Sequence, residues 1–515
     1  MFILNQIGDL YSNALFLVLD PMNLFMLFAC TFVGIVFGAM PGLTSTLGVG
    51  LLTSITYGMD TSLAMLCLLS IYVGGVYGGS YASILVNIPG TGAAAATALD
   101  GYPLALRGEA GRVIGITTVS SCIGTLIGLA SVVSIAPIIC HFALQFTSYE
   151  FFLLALFGIA LSGTLTSGDL VIKGWISGFL GLFLACIGRE VLQFYPRFTF
   201  GLQDLENGVD VVPALIGAFG IPQIIQVLKD RIQIRETGKV KGVLPDIGTI
   251  GRNLPLIGRS SLIGVGIGAV PGIGEDVASW VSYGIAKGSS KHPEKYGTGE
   301  IKGVIACETA NNACVGGALI PLLSLGIPGS PPAAMLLGAL MLHGVIPGPM
   351  LIVEHPKFIA EVASILLLAS FSLLVLGLIL SKQVGKLLRT PIGIFMPIIG
   401  FLCIIGSYAL GLNIFNLFWM VLIGIISYLL TEMKYPIAPL VIGLILGPMA
   451  DESLRRALMI SNGSLMPIFH RPVSLILFII IVFSFLSQFK FYHRLKEYIV
   501  GKMLMRCSVE NRESA

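Results

Sequence analysis

Charge is what this chain lacks. Only 11% of its 515 residues are Asp, Glu, Lys or Arg, against roughly 25% in ordinary soluble domains. The shortage is uneven: no Lys or Arg precedes Arg107, although Asp9, Asp20, Asp60 and Asp100 do. A net charge of +3 is too small for nucleic-acid binding, which rests on many cationic contacts to phosphate. The nine cysteines stand singly, and the closest pair, Cys307 and Cys314, is not a CxxC. Neither a zinc site nor a disulfide framework is implied. HExxH and Walker A motifs are absent as well, which removes the chemistry of a metalloprotease or an ATP-driven pump. The N-terminal MFILNQIGDL has no basic n-region, so its apolar stretch is expected to stay as a membrane anchor.

What is present is apolar. Hydrophobic residues make up 55% of the chain, and the mean hydropathy is +0.92. Apolar stretches at 21–39, 61–76, 113–139, 151–163, 209–228, 359–381, 392–409, 412–430 and 472–489 each approach the ~20 residues that cross a bilayer as a helix. Others are shorter or interrupted. Together they predict an all-α polytopic membrane protein with about ten to twelve transmembrane helices, plus re-entrant or broken helices.

Glycine is in excess, at 63 of 515 residues, where ~7% is usual. Gly34 and Gly38 form a GxxxG suited to close helix packing. Packing does not account for glycines beside proline and polar residues, as in YGGSYASILVNIPGTG at 77–92. A broken backbone facing lipid leaves N–H and C=O groups unpaired at several kcal/mol each. Such a segment therefore belongs where protein encloses a cavity.

The breaks occur twice. GAMPGLT at 38–44 is echoed by GAVPGIG at 268–274, and NIPGT at 87–91 by GIPGS at 326–330. A fainter echo pairs GFLGLFLACIG at 178–188 with LVIGLILGP at 440–448. The shared order reads as a duplicated unit. By the positive-inside rule the unbasic N-terminal connections lie outside the cytoplasm. The stretch 229–259, with Lys229, Arg231, Arg235, Lys239, Lys241, Arg252 and Arg259, reads as a cytoplasmic linker. Lys287, Lys291, Lys295 and Lys302 follow the second Pro-Gly hairpin, whereas its counterpart at 57–62 carries only Asp60. Equivalent loops then face opposite sides, which predicts two inverted repeats. The expected division is 1–228 for the first repeat, 229–259 for the linker and 260–470 for the second repeat. Residues 471–515 add a C-terminal transmembrane helix and a basic cytoplasmic tail. With both flanks cytoplasmic, 260–286 is too short for two crossings, so a hairpin turning at Pro271-Gly272 is expected. GAMPGLT is expected to form its mirror image.

Inverted-repeat carriers hold substrate between broken helices near the midplane. Helix N-termini offer N–H groups and partial positive charge to an anion, and loose carbonyls can hold Na⁺. The candidate substrate- or ion-binding residues are therefore Pro41, Gly42 and Thr44, then Ser80, Ser83, Asn87, Pro89, Gly90 and Thr91. The back half contributes Pro271, Gly272, Gly274, Glu308, Asn311, Asn312, Ser324, Pro328, Gly329 and Ser330. Glu308 has two readings, a functional intramembrane carboxylate or an interfacial one beside Lys302. Glu275 and Asp276 follow the hairpin turn, where they would bind a coupling cation or favour a helix N-terminus. Asp100 in LDGYP reads as a turn or cap residue at a membrane edge.

GAMPGLT, YGGSYASILVNIPGTG, ALDGYPLA, PGIGEDVASWVSYGIAK, ETANNACVGGALIPLLSLGIPGS and APLVIGLILGPMADESLRRAL together resemble the large membrane subunit of tripartite tricarboxylate transporters. The resemblance runs from about residue 20 to residue 470. It implies a bacterial inner-membrane permease subunit that works with a small membrane subunit and a periplasmic solute-binding protein. It also implies uptake of carboxylates such as citrate, driven by an ion gradient. No cofactor, resident metal or nucleic acid is implied beyond a coupling Na⁺ or H⁺. The N-terminus is expected in the periplasm and the C-terminus in the cytoplasm.

Two other classes stay open from the residues alone. Polar re-entrant segments also build passive channels for small anions. GGSY at 78–81, with histidines at 141, 343 and 470, has the G-x-S-x form of an intramembrane serine protease, although no histidine is placed as its base. Hydroxyl and amide donors do not distinguish one carboxylate from another, nor Na⁺ from H⁺ coupling.

Overall fold

A computed structural model describes residues 2–40, 42–166, 170–230, 243, 245–381, 383–384, 392–409 and 412–486. Among them, 8 helices are long and apolar enough to cross a membrane, accompanied by shorter apolar helices of 10–17 residues. Among the described residues, strand is confined to an antiparallel pair, β1 (Gly188–Arg189) and β2 (Pro196–Arg197). The chain is an all-α polytopic membrane protein. Large apolar side chains such as Phe16, Phe25, Phe418 and Phe483 lie exposed on its outer helices, as lipid rather than water requires.

The front half runs α1 (Phe2–Leu19), α2 (Pro21–Ala39), α3 (Ser45–Ile55), α4 (Thr61–Val86), α5 (Gly92–Leu104), α6 (Ala110–Ala143), α7 (Ser148–Thr166), α8 (Val171–Ala185) and α9 (Val211–Asp230). The back half runs α10 (Leu254–Gly268), α11 (Gly274–Gly288), α12 (Ile301–Leu325), α13 (Pro331–Leu342), α14 (Phe358–Leu380), α15 (Ile392–Ala409), α16 (Phe415–Glu432), α17 (Ile437–Ile460) and α18 (Pro472–Leu486).

Local chemistry explains the interruptions. α4 ends at Asn87, whose φ of 57° is left-handed, and α12 ends at Gly326 with φ 72°. Asn and Gly are the residues that enter this region at least cost. Pro89 and Pro328 follow and cannot continue a helix. Thr91 and Ser330 then restart it as N-caps, their side chains accepting from the Ala94 and Ala333 N–H groups. Thr44 does the same for α3, accepting from Leu47 N.

The centre is built on α4 and α12, which are buried almost throughout their length. Small residues let their neighbours approach to backbone contact. A Cβ on Gly34 of α2 would strike the backbone of Ile71 in α4, and one on Gly264 of α10 would strike Ala310 in α12. Gly38 meets Gly75 in the front, and Gly268 meets Cys314 behind. Gly90 closes on the Gly38 carbonyl as Gly329 closes on that of Gly268. Long helices are exchanged between the halves: α6 packs on α12 through Gly128 and Gly316, and α14 on α4 through Gly377 and Tyr77. The helices of the fainter echo cross one another, with Gly181 against the Leu440 carbonyl and Gly443 against that of Gly178.

Candidate functional site

The helix starts converge. A cavity of about 380 Å³ is lined by Thr44, Ser45 and Thr46 at the start of α3, and by Thr91, Gly92 and Ala93 at the start of α5. Gly272 to Val277 line it at the start of α11, Pro331 and Pro332 at that of α13, and Pro436, Ile437 and Ala438 at that of α17. Val76 and Asn311, from the middles of α4 and α12, and Leu165 and Thr166, at the end of α7, complete the wall. The starts of α3, α5, α11 and α17 present backbone N–H groups with no intrahelical partner; α13 opens on Pro331 and Pro332, which have no N–H, and adds only its share of the helix dipole. No Lys, Arg or His is among the lining residues.

Acidic groups enter from one side. Glu275 and Asp276 stand in the first turn of α11. The Tyr72 hydroxyl joins the Glu275 carboxylate and lies 2.7 Å from the Ser330 hydroxyl, tying α4 to both broken ends of the back half. The Asp276 carboxylate lies against Gly92, so an added Cβ there would meet its oxygens.

A second polar centre lies among the long helices. Glu308 is fully buried. Ser80 donates to its carboxylate at 2.5 Å, Thr97 at 2.5 Å and Ser121 at 3.3 Å. Those hydroxyls come from α4, α5 and α6, and Glu308 from α12, so one carboxylate gathers four helices. No cation lies within salt-bridge distance of it among the described residues. Asn311 donates to the Val76 carbonyl at 3.2 Å and keeps an unpaired Oδ1, while neither amide atom of the buried Asn312 has a partner.

Residues 24–442 match the model of the Tripartite tricarboxylate transporter TctA family. The chain belongs to that family. It is 34% identical over 462 residues, 88% of this chain and 91% of the relative, to an uncharacterized 52.8 kDa protein in the TAR-I ttuC' 3' region of Agrobacterium vitis. A second relative from that organism, an uncharacterized protein in the TAR-II ttuC' 3' region, is 36% identical over 208 residues, 40% of this chain and 86% of the relative. No solved structure matches. Membership implies the large subunit of a transporter rather than an enzyme. The Ser80 hydroxyl of GGSY lies against the Glu308 carboxylate and the Tyr77 carbonyl.

The residues singled out in this TctA-family chain separate into groups. Thr44, Thr91, Gly272, Gly274 and Asn311 line the cavity. Gly42, Gly90, Pro89, Pro271, Pro328 and Gly329 shape its breaks; Gly42 and Gly272 have φ 86° and 75°, and the Gly329 carbonyl accepts from Gly274 N at 3.2 Å. Ser330 caps α13 and holds Tyr72, and Ser80 serves Glu308. Ser83 is buried without a partner, and the Ser324 hydroxyl returns to the Ile320 carbonyl at 2.6 Å. Pro41 lies outside the described residues, as do Arg231, Arg235, Lys239 and Lys241 of the linker and the basic tail with Arg494, Lys496, Lys502 and Arg506.

Asn87 is an exposed left-handed cap and does not line this cavity. Two other expectations need correction. Glu308 is not an interfacial partner of Lys302; it lies six residues further along α12, in the core. Asp100 is no turn at a membrane edge. It sits fully buried within α5 and accepts the N–H groups of Gly297, Gly299 and Glu300 at 2.8, 2.8 and 2.9 Å, plus the Tyr283 hydroxyl at 3.0 Å. It thereby pins the loop that leads into α12. Sequence reasoning missed Ser45 and Thr46, although a hydroxyl run directly after a Pro-Gly break was a usable signal. Thr166 and Pro436 carried none.

Proposed function

We propose that this chain is the permease subunit of a binding-protein-dependent uptake system, carrying an organic carboxylate inward across the bacterial inner membrane. The observation that carries the reading is the meeting of five helix starts on one cavity that has no basic side chain. Backbone N–H groups and the hydroxyls of Ser45 and Thr46 suit a carboxylate without any buried cation. The cavity lies in the usual range for small-molecule sites, about 300–1,000 Å³.

Its charge argues for ion coupling. Glu275 and Asp276 line the same space, so a carboxylate entering alone would meet like charge in a low dielectric. A cation carried with the substrate offsets that repulsion, either Na⁺ between the carboxylates and the Asn311 carbonyl oxygen or H⁺ on a carboxyl. Alternating access follows if the α2–α3 and α10–α11 units are hairpins of two inverted repeats. The 15 residues of α10 rise only about 23 Å, short of the ~30 Å hydrocarbon core. A small membrane subunit and a periplasmic solute-binding protein complete the system, with the N-terminus of this chain periplasmic and its C-terminus cytoplasmic.

The test is reconstitution of the three components in proteoliposomes. Expected are substrate counterflow, uptake that depends on a Na⁺ or H⁺ gradient, and loss of that dependence in Asp276→Asn. Conduction without counterflow would make the chain a channel. Full uptake by this chain alone would remove the partners from the reading. Orientation is checked on a cysteine-free background. Tyr57→Cys should react with an impermeant thiol reagent from outside, and Lys291→Cys only after the membrane is opened. Labelling of both from one side would overturn the inverted arrangement.

A further inference from the structure

The start of α10 and the end of α11 enclose a second hollow, of about 590 Å³, apart from the central cavity. Arg252, Arg259, Lys291 and Lys302 line it, and no carboxylate does. His292 also lines it, with its ring Nδ1 3.2 Å from the Glu294 carboxylate. None of the four cations is ion-paired among the described residues. Arg259 bonds the Ser289 hydroxyl through Nη1 at 2.8 Å, and its Nε is buried with no partner. Four like charges drawn from three segments into one concavity repel one another, and a bound anion would offset this.

The surroundings say what kind of anion. On the same two helices, Leu254, Leu262, Trp280 and Ile285 are 54%, 67%, 45% and 42% exposed. Leu254 and Leu262 stand two turns apart on α10 and share one face. Exposed apolar side chains on the helices that frame a basic hollow match a ligand with a charged head and hydrocarbon tails. A soluble anion makes no use of those side chains.

We propose that this hollow seats the phosphodiester headgroup of an anionic phospholipid, with its acyl chains along Leu254, Leu262 and Ile285. The Arg252 and Arg259 guanidiniums would fork onto phosphate oxygens while Lys291 and Lys302 add point charges. Basic pockets at the membrane surface hold acidic lipid headgroups in this way. The site stands apart from the transport cavity and does not rest on the identity of the substrate.

The experiment is native mass spectrometry of the full chain with added phosphatidylglycerol or phosphatidylcholine, with melting temperature measured in parallel. The wild type should retain phosphatidylglycerol, melt higher in its presence, and show neither effect with phosphatidylcholine. Arg252→Gln combined with Lys302→Gln, both at exposed side chains, should weaken retention by about fivefold per cation removed. Arg259→Gln tests the half-buried member, and the exposed pair keeps the test decisive if that variant does not fold. Equal retention of the two lipids, or full retention by the double variant, would overturn the proposal. So would displacement of phosphatidylglycerol by millimolar inorganic phosphate, which would mark a site for soluble anions.

Discussion

At the start of α3 the cavity meets Ser45 and Thr46; at the matching start of α11 it meets Glu275 and Asp276. α5 opens with Gly92 and Ala93, which carry N–H donors, whereas α13 opens with Pro331 and Pro332, which have none. In the middle of α4 the tyrosine hydroxyl of Tyr72 reaches toward the cavity ends, where α12 offers the amide of Asn311. Yet the packing beneath is shared, with Gly90 on Gly38 and Gly329 on Gly268. The lesson is that close backbone contact constrains glycine strictly, since any Cβ there collides, while side chains facing a cavity are free to diverge. The front-half starts bring N–H and hydroxyl donors to the cavity, and α11 brings carboxylates.

The sharpest way to break this comparison is at Glu308, an acid on the back-half helix. Glu308→Gln keeps the volume and removes the charge. Uptake should fall about a hundredfold while melting temperature moves by only a few degrees. Retained uptake with a large drop in melting temperature would make Glu308 a structural hub for Ser80, Thr97 and Ser121. Next in size are Gly90→Ala and Gly329→Ala. Each forces a methyl against a carbonyl, at about 1–3 kcal/mol, and both should lower the melting temperature alike. A fall at only one site would show that the two breaks are not packed equivalently. The smallest effect is expected at Asn87. Asn87→Ala should cost about 1 kcal/mol, because alanine enters the left-handed region less readily, and Asn87→Gly should cost nothing. Uptake should be unchanged in both; a large loss of substrate affinity in Asn87→Gly would restore a ligand role to that amide.

Much of the fold was legible in the chain itself. Low charge and apolar length placed it in a membrane, and Pro-Gly pairs marked the breaks. The hydroxyl residues after them, Thr91 and Ser330, were legible as helix starts because capping acts within three residues. The order of the echoes anticipated which glycines would pack alike. Part of the site was open to the same reading, through Thr44, Thr91, Gly272, Gly274 and Asn311.

The rest depended on partners far along the chain. Nothing near Asp100 announces that it will hold the N–H groups of Gly297, Gly299 and Glu300, and nothing near Thr166 or Pro436 places them in the cavity wall. Hydrophobic periodicity tells which face of a helix is buried only when another face is not. α4 and α12 are buried on every side, so their sequences carry no such signal. The composition of this chain determined that it would be a membrane protein of helices broken at Pro-Gly pairs. Which sides of those helices would meet, and therefore that Glu308 would draw hydroxyls from three others, was decided only by tertiary packing, where glycine contacts set the register between segments hundreds of residues apart.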